Sequence, residues 1–590
     1  MNPRILRDPV HGYLELSPVE EALLREPVVQ RLHWISQNGL AYLTYPSNRT
    51  SRFSHSLGAM HVAGAMFRGA VLSSDSNAVS SLVKKIDCVV VLDEAKLKPC
   101  VSGQFWTALA LPEIKLVPVW QALRLAALVH DLGHLPFSHT MEHVLKAVVA
   151  YLEFKKLTLT PLPAGLWALH KWAVDQKMED VPGAATHELV GLSICTRTLE
   201  PAVQGTTYLG FKSLALAKLI LSADPKNESP LGALHSLIDG EFDADRADYV
   251  LRDSVQSGIS DGESYDLYRA TNHIVLDREG DRFWFRPTPK AVPALESFCL
   301  ARFKMWRSLV FHNNVVRSEL ALSRLLYLYY RLLANGGALP ANARGALSSS
   351  PLAHAWTFLS MDPAAPVDTK VFQDLDEGMV RWSMQELLRS LQGFGAAEHE
   401  REPSLRDLRE MLLYLRFVLY REKSRIAPLW KRITGYSQFA GEYLKSLALP
   451  PTPTAVIAMN RHLRERLRES VTKKEDPIGT AVGIEGEVSQ SSGWPAHMVA
   501  RLLFHADFKA HLDCWVRISP GQLVKIGDLS PIISSTEGAW ESDVHFHGFA
   551  INLAGDLSRE SEIKETERLE LRGSLAPAFG KCIEARKTQT

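Results

Sequence analysis

From Leu128 to His139 the sequence reads Leu-Val-His-Asp-Leu-Gly-His-Leu-Pro-Phe-Ser-His, so His130, Asp131, His134 and His139 fall within ten residues. The stretch Leu123–Val129 before them is nearly all apolar, which marks a buried helix ending on His130 and Asp131. Burying an imidazole beside a carboxylate is costly unless the groups are paired or hold an ion. Gly133 suits the end of that helix, and Pro136 opens a new segment. The cluster points to a metal or phosphate site. A His-Asp dipeptide alone is more often a satisfied core pair, because short motifs match by chance. Partners from elsewhere in the chain have to decide.

Two segments supply them. Ser51-Arg-Phe-Ser-His-Ser-Leu-Gly58 puts His55 at the start of an amphipathic helix, and Asp243–Asp253 is densely acidic. On a helix Asp245 and Tyr249 share a face, as do Arg246, Tyr249 and Asp253. Two imidazoles with two carboxylates suit Mn, Fe, Mg or Zn. They do not resemble a cysteine-rich structural zinc site. The acidic segment lacks the glycine and terminal Glu of a calcium-binding loop, which argues against calcium.

The elements that must carry these residues are mostly helical. Apolar residues recur at spacings of three and four over Val19–Leu32, His55–Ala70, Trp120–His130, Met141–Leu152, His187–Cys195, Ala294–Asn335 and Leu405–Tyr420. Strand-like alternation is confined to Phe283–Arg286, Cys514–Ile518 and His545–Ile551. The expected fold is mainly α, a helical core over residues 1–335 with insertions at about 73–118 and 157–183. A short β-type run, Cys88–Leu92, lies in the first insertion. A helical extension follows over 336–475, opening on a loop-like stretch rich in Ala, Gly, Pro and Ser up to Pro366. A small α/β unit spans 476–590, with a boundary near Thr472–Pro495 and a charged peripheral tail from Ser558.

With 46% hydrophobic and 22% charged residues, 590 residues can bury a large core. The 66 basic residues balance the 66 acidic ones, so no global field gathers nucleic acid. The six cysteines contain no C-x-x-C pair, which excludes a disulfide framework. The chain starts without an apolar signal segment and contains no run of membrane-spanning length, so the expected location is the cytoplasm.

The order His, His-Asp, Asp resembles the HD superfamily. Arg7-Asp-Pro-Val-His-Gly12, Gln30-Arg-Leu32, Arg52–Gly58, His130–His139 and Asp245-Arg-Ala-Asp-Tyr249 more closely resemble its deoxynucleoside triphosphate triphosphohydrolases, including dGTPases, over about residues 6–320. The resemblance implies one divalent metal on His55, His130, Asp131 and Asp245. It implies water attack at the α-phosphorus, releasing a deoxynucleoside and tripolyphosphate. His139 matches the family's proton donor, with Glu142, where other members carry Asp, orienting it. His134 and His187 match histidines around the phosphates, with Glu188 beside His187. Arg52, Arg246 and Arg302 match triphosphate-binding positions. Tyr249, Asp253 and Gln37 match residues about the sugar and base.

Around the base the pattern departs. Val310, Phe311 and Asn38 replace the family's tyrosine, glutamine and leucine, and Arg25 stands where vertebrate members read guanine with an aspartate. The resemblance further implies a homo-oligomer, a nucleic-acid or protein activator, and a role in nucleotide-pool control or antiphage defence. Two other readings use the same residues: an HD phosphohydrolase or nuclease acting on single-stranded nucleic acid or a cyclic nucleotide, and a nucleotide-sensing regulatory subunit.

Overall fold

The helices that carry the histidines are apolar on more than one face, so they have to be buried in a helical body. The computed structural model describes residues 4–159, 162–176, 185–204, 207–259, 265–335, 339–392, 402–430, 433–446, 498–504, 512–541, 546–554 and 562–585, with a few isolated positions between. The fold is mainly α, with small sheets. Helix α1 (Arg52–Ser73) and α2 (Leu116–Val129) pack together at its centre, and every residue of α2 is buried. Around them lie α3 (His139–Lys155), α4 (Thr186–Ile194), α5 (Tyr208–Ser222) and α6 (Ala244–Ser257). Helix α7 (Val292–Met305) packs on α6, while α8 (Asn313–Asn335) lies between α3 and the later helix α10 (Pro403–Tyr420); α9 (Glu377–Ser390) packs beside α10.

Several expectations need correction. The long helix expected over Ala294–Asn335 is two helices, α7 and α8, separated by a wide turn at Trp306–Val310. Pro27 splits Val19–Leu32 in the same way, because it opens a fresh short helix, Pro27–Gln30. The β-type run Cys88–Leu92 is not a strand: a helix, Ser76–Val89, runs into it. The loop-like 335–366 stretch contains a helix, Ala341–Ser349, whose Ala343 and Leu347 are buried. The tail is not wholly peripheral: Leu571 and Leu575 of the helix Glu565–Ala585 are buried in a cluster with Tyr436 and Phe439 of Ile433–Ser446. The expected boundary near 472–495 falls outside the described residues.

An unexpected antiparallel hairpin, β1 (Arg4–Asp8) and β2 (Gly12–Leu16), opens the chain. A second pairs β3 (Ile274–Glu279) with β4 (Arg282–Pro287). Three remote segments, β5 (Ile426–Pro428), β6 (Met498–Phe504) and β9 (Phe546–Asn552), form an antiparallel sheet in the order β5-β9-β6. The pair β7 (Trp515–Ser519) and β8 (Gln522–Lys525) completes the set. Among the described residues no helix is long and apolar enough to cross a membrane.

Candidate metal centre

Three helices deliver the four expected ligands to one point. Ser51 caps α1, its Oγ accepting from Ser54 N at 3.3 Å, and His55 follows in the first turn. Helix α2 ends at His130 and Asp131. Asp243 caps α6, accepting from Arg246 N at 2.7 Å, and Asp245 sits in its first turn. The close approach of α6 to α1 needs Gly58, since a Cβ there would overlap Asp248 Oδ1 and Arg252 Nη2. Gly133 plays the same part for α4: a Cβ there would overlap the His187 carbonyl and the Gly191 amide.

His55 Nε2 lies 2.9 Å from Asp245 Oδ1 and 3.6 Å from Asp131 Oδ2; His130 Nε2 lies 3.4 Å from Asp131 Oδ1 and 3.7 Å from Asp245 Oδ1. Both rings are tied through the other nitrogen. His130 Nδ1 donates to the Ala127 carbonyl at 2.7 Å, and His55 Nδ1 donates to Asp248 Oδ2 at 2.8 Å. Each Nε2 therefore turns a lone pair toward carboxylate oxygen, and neither has a hydrogen-bond partner. Such an array is repulsive until a positive charge enters it. Protonation shows the same demand: burial alone would lower His55, but Asp245 and Asp248 push it up to about 10. His130 rises too, with Asp131 and Asp245 outweighing burial. His55, His130 and Asp131 form a group that can hold a divalent cation, and Asp245 Oδ1 stands beside it, 2.9 Å from His55 Nε2.

Behind His55 stands a buried support that the motifs did not single out. Asp248 accepts from Arg252 Nε at 2.9 Å and Nη2 at 2.8 Å, and from His11 Nε2 at 2.6 Å. Arg252 Nη1 reaches Asp8 Oδ2 at 2.8 Å, and Asp8 Oδ1 accepts from the Val10 and His11 amides. A carboxylate behind a ligating histidine fixes its tautomer and its aim. The available signal was helical: Asp248 lies one turn beyond Asp245 and four residues before Arg252.

Next to the four ligands lies an arc of three histidines. His134 Nε2 is 3.1 Å from Asp131 Oδ1, and its ring stacks on His187 with centroids 4.0 Å apart. His139 meets both edge-on, at 4.9 and 5.5 Å, and its side chain is 60% exposed, so it is the one open to an incoming group. Burial, Arg52 and His187 hold His134 well below its ordinary pKa. Glu142 is closer to His187 than to His139: Oε2 accepts from His187 Nδ1 at 2.9 Å, against 3.8 Å to His139 Nδ1. Its Oε1 accepts from the Thr186 amide at 2.8 Å. Although burial opposes it, these partners hold the carboxyl far below its usual range. Glu188 does not face His187; it folds back onto the Ala185 amide as a helix cap.

The expected basic residues are less free than their sequence suggests. Arg52 is buried, with Nη1 2.5 Å from Asp131 Oδ2 and Nε on Ser138 Oγ. Arg246 is folded onto Asp243 and the Gly240 carbonyl. Tyr249 is half-buried, with burial and nearby charges that include Arg302 and Arg246 acting on its phenol. Burial raises Asp253 to about 6 against Asn38 and Thr50. Gln37 is fixed through its backbone amide to the Thr50 carbonyl at 2.9 Å, and its Oε1 has no partner.

No protein-family model matches the chain. Among solved structures it resembles a phosphohydrolase from Bacteroides thetaiotaomicron, with a TM-score of 0.51 at 18% identity, covering 93% of this chain and all of that one. The likeness is one of fold, shared with that solved phosphohydrolase. The chain is also similar to two proteins described only as uncharacterized. One is MJ1154 of Methanocaldococcus jannaschii, 24% identical over 54% of this chain and 49% of that protein. The other is YwfO of Bacillus subtilis, 24% identical over 55% of each. The chain thus spans about half the length of these curated relatives. A shorter segment, 24% of the chain, is 28% identical to 16% of the human deoxynucleoside triphosphate triphosphohydrolase SAMHD1.

Proposed function

We propose that the chain is a metal-dependent hydrolase that splits deoxynucleoside triphosphates into deoxynucleoside and tripolyphosphate. The observation that carries this reading is the pair of partnerless, buried Nε2 atoms of His55 and His130, turned toward Asp131 and Asp245 and flanked by the arc His134, His139 and His187. The segment shared with the human triphosphohydrolase supports the choice of substrate.

His55, His130, Asp131 and Asp245 would hold the cation, which when bound polarises phosphoryl oxygen and lowers the pKa of water. Asp248 keeps the His55 proton on Nδ1, so that Nε2 remains a lone-pair donor. Arg52 neutralises Asp131 from outside the ligand set. Glu142 pins Nδ1 of His187, leaving the other ring nitrogen for a phosphate oxygen. His139, the exposed member of the arc, gives a proton to the leaving 5′ oxygen. Arg246 and Arg302 receive the rest of the triphosphate, Arg246 by exchanging its contacts on the 239–243 loop. Tyr249, Asp253 and Gln37 line the nucleoside side. Depletion of dNTPs by such an enzyme, assembled as a homo-oligomer, fits nucleotide-pool control or antiphage defence.

The test is to incubate the protein with each dNTP and each NTP in Mn or Mg and resolve the products. Deoxynucleoside with intact tripolyphosphate, absent in His130→Ala/Asp131→Ala, is expected. Pyrophosphate, mononucleotide or shortened nucleic acid as the product would sink this assignment in favour of another HD-type reaction.

A further inference from the structure

The turn that aims His139 is held in a backbone conformation that side chains resist. Phe137 has φ 60° and Ser138 has φ 53° with ψ −128°, and both are buried. Non-glycine residues stay in such regions only where the surroundings over-determine them. Here the surroundings come from outside the motifs. Glu377, the first residue of α9, lies 240 positions after Phe137, yet its Oε1 accepts from Phe137 N at 3.1 Å. The same carboxylate accepts from Ser36 N at 2.7 Å and from Ser36 Oγ at 2.6 Å.

Ser36 is itself a hub. Its carbonyl accepts from Ser138 Oγ at 2.7 Å, and it bridges Ser51, the residue that caps α1. Ser138 Oγ in turn accepts from Arg52 Nε at 3.1 Å, and Arg52 meets Asp131. One carboxylate therefore fastens the strained turn before His139 to the segment that launches His55. Oε1 takes both backbone amides and Oε2 takes the Ser36 hydroxyl, so truncation to alanine leaves two buried N–H groups and a hydroxyl without this partner. Arg31 holds the preceding turn of chain as well, donating to the Leu375 carbonyl at 2.6 Å and stacking on Phe372.

We propose that Glu377 is a positioning residue for the reaction: by clamping Phe137 and Ser36 it fixes the turn that points His139 at the reacting group. The kinetic form of this claim rests on the triphosphohydrolase reading above. Misplacing a proton donor by about 1 Å can cost on the order of 100-fold in rate.

The test is a double-mutant cycle with Glu377→Ala, alone and in a His139→Gln background, with the isosteric Glu377→Gln beside it as the conservative variant that can keep the contacts. The expected result for Glu377→Ala is a kcat lower by roughly 10–100-fold with KM within about twofold, unchanged manganese content, rescue in Glu377→Gln, and no further loss once His139 is absent. Equal losses with and without His139, or full activity of Glu377→Ala, would overturn the proposal. If the wild type turns over no nucleotide, the reaction is misassigned and the clamp is read directly. In ring-labelled protein the His139 correlation, assigned by its absence in His139→Gln, should move in Glu377→Ala while that of half-buried His61 stays in place. An unmoved His139 signal overturns the clamp whatever the substrate.

Discussion

Asp248→Asn separates a positioned ligand from a merely nearby one. The carboxylate takes four donors, from His55, His11 and two nitrogens of Arg252, at 2.6–2.9 Å with no exposed surface. An asparagine of the same shape removes one acceptor. Either way its N–H₂ meets an Arg252 nitrogen, which is repulsive, together with His11 Nε2 in one orientation or His55 Nδ1 in the other, and the second pushes the His55 ring proton onto Nε2 and removes a metal-binding lone pair. Loss of such a support weakens metal binding by about 10–100-fold, or roughly 1.4–2.7 kcal/mol. Breaking a buried ion pair costs the metal-free protein about 3–5 kcal/mol. The lower end is expected here, because Arg252 keeps Asp8 at 2.8 Å. Manganese titration followed by electron paramagnetic resonance gives the affinity, with thermal melting in EDTA alongside. Asp239→Asn is the control: it removes the same charge nearby from a residue 60% exposed and without contact to His55. A manganese affinity within twofold of wild type, or a loss equal to that of Asp239→Asn, would refute the reasoning.

Further outcomes follow from the same geometry. Gly58→Ala should lose metal as Asp248→Asn does, although it changes no polar atom, and should cost about 1–3 kcal/mol of overpacking; full metal content by elemental analysis would contradict it. His139→Gln should lower turnover about 100- to 10,000-fold with metal content intact; loss of the metal instead would make His139 a ligand. Glu410→Gln, which breaks the buried pair with Arg501 between α10 and β6, should cost about 3–5 kcal/mol in urea unfolding; a loss below about 1 kcal/mol would count against it. Burial and His312 hold His547 down at about 3, so it is neutral in the folded chain while the unfolded chain gains its proton below 6.5. Its contribution is present above pH 6.5 and is lost as pH falls through 6.5 toward 3. His547→Phe should therefore gain on wild type by up to about 1.4 kcal/mol per pH unit between pH 6 and 4, read from urea midpoints, and parallel curves would refute this.

The meeting of His55, His130, Asp131 and Asp245 was legible from their residue types and, for His130 and Asp131, from the buried apolar helix that precedes them. Asp248 was not, although it lies one turn from Asp245. Which carboxylate faces outward to an ion and which faces the neighbouring helix depends on the contact at Gly58, which belongs to packing rather than to pattern. Glu142 was legible as a charge near the histidines, but its partner His187 comes from another helix, so spacing favoured His139. The first hairpin was hidden because Arg4–Asp8 alternates too briefly to register, and Ala341–Ser349 because its alanines and serines read as loop. Glu377 carried no signal at all: its partners lie 240 and 341 positions upstream.

The sheet β5-β9-β6 sets the timetable of synthesis. All four candidate ligands and their support through Arg252 precede β5, the first strand of that sheet, in the chain. The central strand of that sheet, Phe546–Asn552, is the last of its three strands to emerge, and until it does the edges of β5 and β6 lack the partner they share. The nascent chain can thus assemble the candidate metal site early and then wait, with two exposed edges, for that central strand. That interval is when a chaperone, or a second nascent chain supplying the same strand, would find it most receptive.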